Sequence, residues 1–572
     1  MGVKGKTFIG GGKATQHYLP GGYSRLDFIR GSGGLVSINN AVIMGDCRGG
    51  EPNKLLIFGS ATHASDFLRS GKLLDAVKHA FSPGGGLVPQ RIAAWRVNPG
   101  TQSTHDYQKG ANTMIEGKAR DYGLHTNQIK TKLEDGTGAV GKKVTIQFMN
   151  NEAEVWDLVE KESFEIQYTG SGSAATMNIT KTQLDTTCTG ASEDDITILF
   201  SSFETIEDIV NYINDQASYT CTIKTSVPLD PSIELDSVSA QDIKTSAYTA
   251  MSDLQALIDA MNESAWAEFN YYAAAATRDV PDNETSWVYF TGAGDGTYDE
   301  TAWGVSLTLM EEEDIQFVGS SSEDASIHAL VKTHCEKMNS TMGKNERQFI
   351  VGGAAGETIA QMKIRATNLA SDAGMIKYPG FKHWDFNDLS KKKTWSPAYY
   401  AAKIIGMVVS LAIQEPITNK SVDVLEWEKK LTITEAEELI KAGVSCGKAS
   451  RSGRLINARG VTTNQGSKLQ QCEFSMMRIS LFVSRDLRTA VEESFIGRAM
   501  SNTMIGKVDA ISGGRLSDYS DLGLFVGDPP YWGYKKNIEG DVIRIDYDAN
   551  ITPPINFMFI ASHLHVYASV SG

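Results

Sequence analysis

No two cysteines in this 572-residue chain stand in a C-x-x-C arrangement. The six present, Cys47, Cys188, Cys221, Cys335, Cys446 and Cys472, are scattered. That gives no support to a zinc cage or a redox pair and leaves six reduced, mostly buried thiols as the expectation. Long apolar runs are missing too. The longest, AYYAAKIIGMVVSLAI at 398–413, is too short to span a bilayer and holds Lys403, so no membrane insertion is expected. The opening MGVKGKTFIG has no apolar signal-peptide core, and Lys6 stands where a myristoylation pattern needs Ser or Thr. Synthesis and folding in a cytoplasm follow as the expectation. Basic residues are in deficit, 54 Lys and Arg against 69 Asp and Glu, for a net charge of −15. That balance argues against nucleic acid as a partner, since such binding draws on the release of counterions by cationic side chains.

What the chain does have is apolar surface to bury. Hydrophobic residues make up 41% and charged residues 22%, the balance of a folded protein rather than a disordered one. At about 150 residues per domain, three or four domains are expected. Residues 1–30 carry glycines and no sustained period, and read as an extended arm with Gly21 and Gly22 as hinge candidates. LVSINNAVIMG (35–45) reads as a strand, ATHASDFLRS and KLLDAVKHAF as short helices, and RIAAWRVN (91–98) as a strand. Between about 105 and 240 the text changes to short alternating segments separated by Gly, Ser, Asn and Asp, with one helix near Ser202–Ala217. This block reads as an inserted β-rich domain. Alternating helices and strands then resume, with Thr245–Arg278 expected to be helical. Residues 31–104 and 241–415 together read as one discontinuous α/β domain around a mostly parallel sheet. A third domain spans 416–550, with strands expected near 453–461 and 471–483 and a long helix over RDLRTAVEESFIGRAM. Residues 551–572 form a terminal strand or arm.

Sequence patterns with chemical meaning are few. Gly12-Lys13 and Gly447-Lys448 are both followed by Ala, so no phosphate-cradling P-loop exists, and Gly292–Gly296 fails the dinucleotide pattern. Gly443-Val444-Ser445-Cys446-Gly447 matches G-x-S-x-G, yet a helix precedes it where a nucleophile elbow needs a strand. A serine hydrolase is therefore the weakest reading. His563 and His565 would share one face of a strand, but two ligands are too few for a zinc site. Neither a cofactor, a metal nor a catalytic residue is expected. The runs Glu311–Asp314 and Lys391–Lys393 read as solvated loops, or as complementary patches between copies. In Ile555–Val570 both strand faces are apolar: Phe557, Phe559 and Tyr567 on one, Met558, Ile560, Leu564 and Val566 on the other. Such a strand must be covered on both sides. Donation to a neighbouring subunit's sheet and a central place in its own domain both satisfy that requirement.

Three stretches, in order, resemble the tail sheath proteins of contractile bacteriophages, closest to those of large myophages of Gram-positive hosts. They are GGEPNKLLIFGSATHASDFLRSGKLLDAVKHAF (49–81) with RIAAWRVN after it, PAYYAAKIIGMVVSL (397–411), and FIGRAMSNTMIG (495–506). The resemblance implies a multidomain fold with an α/β core, an inserted β-rich domain, an α+β C-terminal domain and extended terminal arms. It implies a structural protein of the virion that polymerises as stacked six-membered rings around a tail tube. Its expected partners are copies of itself, the tube protein, and baseplate and terminator or neck proteins. The resemblance also makes strand donors of the arms, with Phe8 and Ile9 candidates at one end and Phe557, Phe559, Ile560, Leu564, Val566 and Tyr567 at the other. The sheath of an R-type bacteriocin or a related injection system is the alternative it leaves open.

Overall fold

The computed structural model describes residues 39–563, together with the backbone of two strands near the N-terminus. Those strands, β1 (Lys6–Gly10) and β2 (Lys13–His17), form an antiparallel hairpin with Phe8 opposite Thr15 and Ile9 opposite Ala14. Over these two strands the arm expected to be extended is a hairpin instead. Gly21 and Gly22 lie outside the described residues, as do Leu564, Val566 and Tyr567. The chain divides into two compact units, residues 42–78 with 91–310, and residues 1–41, 79–90 and 311–572.

The first unit begins with β3 (Ala41–Gly45), β4 (Leu55–Phe58), α1 (Ala61–Leu68), α2 (Lys72–Ala80) and β5 (Ile92–Arg96). Ser60 caps α1 by accepting from the His63 amide at 3.1 Å. The expected apolar face of α2 is buried at Leu73, Ala76, Val77 and Ala80. Strand β5 runs parallel to β3 and antiparallel to β4.

Two β-rich cores follow. The strands are β6 (Thr104–Lys109), β7 (Asn112–Ala119), β8 (Ile129–Asp135), β9 (Lys142–Phe148), β10 (Glu154–Val159), β11 (Glu162–Tyr168), β12 (Ala174–Ile179), β13 (Gln183–Thr189) and β14 (Thr197–Leu199). After helix α3 (Ile206–Asn214) come β15 (Tyr219–Ile223), β16 (Val238–Asp242), β17 (Tyr248–Met251), helix α4 (Asp253–Asn262), β18 (Ala267–Tyr271), β19 (Glu284–Tyr289) and helix α5 (Glu300–Leu309). One core unites the sheets β18-β7-β6 and β10-β9-β8-β19 with α4. The other unites β15-β11-β17 and β14-β13-β12-β16 with α3, whose Ile206, Ile209, Val210 and Ile213 are buried. Thr245–Arg278, expected to be helical throughout, is instead strand, helix, strand. Residues 248–251 are drawn into the sheet by pairing with β11, and Ala267 and Phe269 alternate inward from β18. Tertiary pairing overrode local propensity there.

The second unit is α/β. It runs β20 (Phe317–Ser320), α6 (Ala325–Met338), β21 (Gln348–Gly352), α7 (Ile359–Leu369), β22 (Gly374–Tyr378), β23 (Phe381–Asp385), β24 (Asp388–Trp395), α8 (Pro397–Ser410), β25 (Glu426–Trp427), α9 (Ile433–Lys441), β26 (Val444–Ala449) and β27 (Leu455–Asn457). β20, β21, β22 and β26 are parallel neighbours, and β27 closes antiparallel on β26. Every residue of β20, β21 and β22 is buried, the mark of a parallel sheet covered on both faces. Helix α8 has Pro397 in its first turn and is almost wholly buried. Two glycines let it approach. A Cβ on Gly406 would sit 1.8 Å from the Ala80 carbonyl oxygen, and one on Gly352 would sit 2.0 Å from that of Pro397. Lys403 inside α8 donates to the Ser82 carbonyl at 2.6 Å, with Asp423 3.6 Å away, so the charge that breaks the apolar run is satisfied internally. Among the described residues no helix is long and apolar enough to cross a membrane.

The unit ends with α10 (Leu469–Cys472), α11 (Phe474–Phe495), α12 (Asn502–Asp521) and the hairpin β28 (Tyr531–Glu539) and β29 (Val542–Ala549). The stretch 471–483, expected to be a strand, is mostly the front half of α11. Its aromatic and branched residues favoured that reading, but Phe474, Arg478, Ile479, Phe482, Val483 and Asp486 are buried at helical spacing. Two buried polar residues concealed the stripe. The helix expected to run through FIGRAM stops at Phe495, and Gly497 takes a φ of +82° in the turn that follows.

Candidate functional site

The tail is tied down and then released. Thr552 donates its amide to Leu524 O at 3.0 Å and its hydroxyl to Gly523 O at 2.8 Å. Four residues on, Asn556 Nδ2 donates to Glu473 Oε1 at 2.9 Å. Glu473 is buried at the start of α11 and paired with Arg459, whose Nε lies 2.7 Å from Oε1. The same guanidinium lies 5.4 Å from the centroid of the Phe557 ring. Burial pushes the Glu473 carboxyl up from its ordinary value, with Arg459 opposing. Beyond this anchor the chain carries Ile555, Phe557, Met558, Phe559 and Ile560 at 75–93% exposure. No strand forms between 552 and 563. The expected strand Ile555–Val570 is thus not part of this chain's own sheets over its described residues. His563 is exposed outside any strand and His565 lies beyond the described residues.

Next to the tail in the same unit stands the β28–β29 hairpin, a two-stranded ribbon packed over the core of Ile479, Phe482, Leu516, Tyr519 and Phe525 through Tyr531, Tyr534 and Tyr547. Both outer edges lack a neighbouring strand among the described residues. The β1–β2 hairpin is likewise two-stranded. Such edges expose backbone donors and acceptors to an incoming strand. The turn FIGRAM and β29 frame a recess of about 190 Å³ lined by Phe495, Met500, Met504, Ile543 and Ile545, with Ile496 77% exposed at its rim.

Three buried arginines hold the framework by donating to main-chain carbonyls. Arg96, at the end of β5 within the RIAAWRVN segment, donates to Gly50 O and Tyr122 O at 2.9 Å each and to Asp295 O at 3.3 Å. Arg478 donates to Leu411 O and Ala412 O at 3.1 Å each. Arg347 donates to Glu311 O at 3.0 Å, to Glu313 O at 2.6 Å, and to Nε2 of His334 at 2.7 Å. Burial pushes Arg347 down to about 10 and Arg478 to about 9. The acidic run 311–314 therefore serves this clamp with its carbonyls, while Glu311 pairs with Lys337 and Asp314 with Arg485. Lys393 stacks 4.0 Å over the Trp395 ring and Lys391 pairs with Asp388 at 2.8 Å. The position of Arg96 within its motif was the one available signal; Arg347 and Arg478 had none, since carbonyl acceptors leave no mark in side-chain patterns.

Ser445 of the G-x-S-x-G match follows α9 and lies fully buried in β26, bonded to Lys377, Asn457 and the Arg459 carbonyl. It has no histidine partner and is not at an elbow. Among the described residues no group of three or more His, Cys, Asp or Glu is placed to hold a metal.

Residues 296–463 match the family model of the phage tail sheath protein central domain. The chain is 25% identical over 579 aligned residues to the tail sheath protein of Bacillus phage SP01, covering 95% of each. It is 26% identical to a putative tail sheath protein of Enterococcus phage phiEF24C, over 83% of this chain and 84% of the relative. The crystal structure of a sheath tail protein from Listeria innocua shares the fold with a TM-score of 0.54 at 12% identity, over 90% of this chain and 92% of that one.

Proposed function

We propose, from a chain that carries the phage tail sheath central domain and aligns with tail sheath proteins along nearly its whole length, that assembly runs through its terminal arms. The chain is a structural subunit of a contractile tail sheath and a virion component, and its relatives are structural proteins rather than enzymes. It self-associates into the sheath and meets the baseplate. We further read the array as stacked six-fold rings around a tail tube, capped by a terminator, the subunits being made in the host cytoplasm.

One observation carries the assembly reading: five large apolar side chains in six consecutive residues, 75–93% exposed in the single chain. Burying each contributes about 1.5–3 kcal/mol, and each inter-chain backbone hydrogen bond of an added strand about 0.5–1.5 kcal/mol net. Even after the ordering cost, that total decides whether subunits associate. The natural acceptors are the open edges of another subunit's hairpins. Contraction would then exchange one set of subunit contacts for another, with arms as hinges and no nucleotide consumed.

Truncation tests this. Removing residues 555–572 keeps the Thr552 tether and the β28–β29 hairpin. The shortened protein should melt cooperatively and stay monomeric, with no tubes or rings in electron micrographs. Normal polymers, or loss of the cooperative melt, would overturn the arm reading.

A further inference from the structure

Lys377, on β22, is fully buried, and its ammonium position faces no carboxylate among the described residues. Its Nζ lies 2.7 Å from Ser445 Oγ, 2.6 Å from Asn457 Oδ1 and 3.5 Å from Met375 Sδ. The Tyr400 ring centroid stands 4.7 Å away. Burial pushes the lysine well below its usual range, so the side chain is held as a neutral amine, a nucleophile. Opposite it, the Asn457 amide is fixed in orientation. Its Nδ2 donates to Ile417 O at 3.1 Å, and its Oδ1 accepts from the Tyr400 hydroxyl at 2.8 Å, with Ser445 Oγ 3.2 Å away. Burial keeps the Tyr400 hydroxyl protonated, so it stays a donor. The amide carbon is one carbonyl bond beyond Oδ1 and thus within about 3.8 Å of Nζ, close to the separation of a near-attack arrangement.

We propose that Lys377 and Asn457 join in an intramolecular isopeptide bond. The Nζ lone pair attacks Cγ of Asn457, and the C=O electrons move onto Oδ1, where the Tyr400 hydroxyl stabilises the oxyanion. One Nζ proton is transferred to Nδ2 within the tetrahedral intermediate. The Cγ–Nδ2 bond breaks as the carbonyl re-forms, and ammonia leaves. The products are a secondary amide and one ammonia, with no oxidant, reductant or co-reactant consumed. The bond spans β26, linking β22 to β27 at the edge of the parallel sheet. It would hold that edge closed under load. The Ser445 hydroxyl then has a role unrelated to hydrolysis, holding the Lys377 amine beside the Asn457 amide by accepting from Nζ.

Mass spectrometry of the denatured full-length protein decides the matter. The expected mass is one ammonia below that of the sequence. Proteolysis should yield a branched peptide joining the segment around Lys377 to that around Asn457. Lys377→Met and Asn457→Ala should each restore the full mass, and Tyr400→Phe should lower the linked fraction severalfold in freshly made protein. A wild-type mass equal to that of the sequence after prolonged storage at neutral pH would overturn the proposal. So would an ammonia loss that maps to a succinimide at an asparagine without a branched peptide. Should a variant fail to fold, the wild-type mass and its peptide map still settle the result.

Discussion

The core around β11–β17 and the α/β core of the second unit are both well packed, but they are assembled in opposite ways. The first draws every buried residue from Phe164 to Ala250, one contiguous stretch. Its two ends already meet, with the Ser252 amide donating to Lys161 O at 2.8 Å and the Ser163 and Ser252 hydroxyls 2.8 Å apart. The second packs α8 against residues 79–82 from far back in the chain, and Arg478 reaches carbonyls more than sixty residues away. A core whose contacts are local can be acquired or lost as a piece. One whose contacts span the chain must be complete before any part of it is stable.

Changing Gly406 gives the largest contrast. Gly406→Ala forces a methyl against the Ala80 carbonyl, a backbone atom that cannot rotate aside. Overpacking of this kind costs about 1–3 kcal/mol, occasionally more. Thermal unfolding should show a corresponding fall in Tm. At Gly190, exposed after β13 of the nested unit, the backbone has a positive φ of +83° but the space is open, so Gly190→Ala should cost only about 1 kcal/mol, from the backbone alone. Equal shifts for the two variants would break the comparison.

Acid should separate the two units by sign. His328 Nε2 donates to Ser322 O at 2.9 Å and His334 Nε2 accepts from Arg347, and burial, joined at His334 by that arginine, pushes the two imidazoles down to about 4 and about 3. Unfolded histidines take up protons near pH 6.5 while these native ones do not, so the unfolded state binds more protons. Stability of the second unit therefore declines as pH falls from about 6.5 toward 4. Asp236 in the first unit behaves oppositely. It accepts from the Asp253 and Leu254 amides at 2.8 and 3.2 Å at the start of α4, and burial pushes it up to about 7. Its native carboxyl binds a proton that the unfolded one releases, so its contribution to stability rises as pH drops from about 7 toward 4. Hydrogen exchange at pH 7 and pH 5 should show α6 losing protection while α4 holds. His328→Gln with His334→Gln should flatten the slope at α6. Protection lost first at α4 would refute the assignment.

The smallest effect is expected from the largest deletion. Replacing residues 162–251 by a short Gly/Ser linker should leave the remaining protein soluble and polymer-forming, with a modest loss where Asp236 capped α4. A melt that loses its cooperativity would mean the nested core is needed for the rest to fold.

Much of this organisation was open to reading in the residues. Period-2 text marked the β-rich block, period-3.6 text marked α2, α3 and α8, and the order of three motifs pointed to the sheath family. These signals survive because hydrophobic alternation is set locally by backbone geometry. The tail's two apolar faces were also plain, since exposed Phe and Ile in one run need no structure to be noticed. Where reading failed, the deciding partner was remote. Residues 248–251 became a strand because β11 lay beside them, and the buried Arg478 and Asp486 hid the stripe of α11 because their partners are distant. The sequence by itself determined which segments would be apolar and that the tail, if a strand, needed cover on both faces. Only the tertiary structure decided where Lys403, Arg347 and Arg478 find their partners. A buried charge is tolerated only where specific acceptors converge on it, and that convergence exists only once distant segments have been brought together.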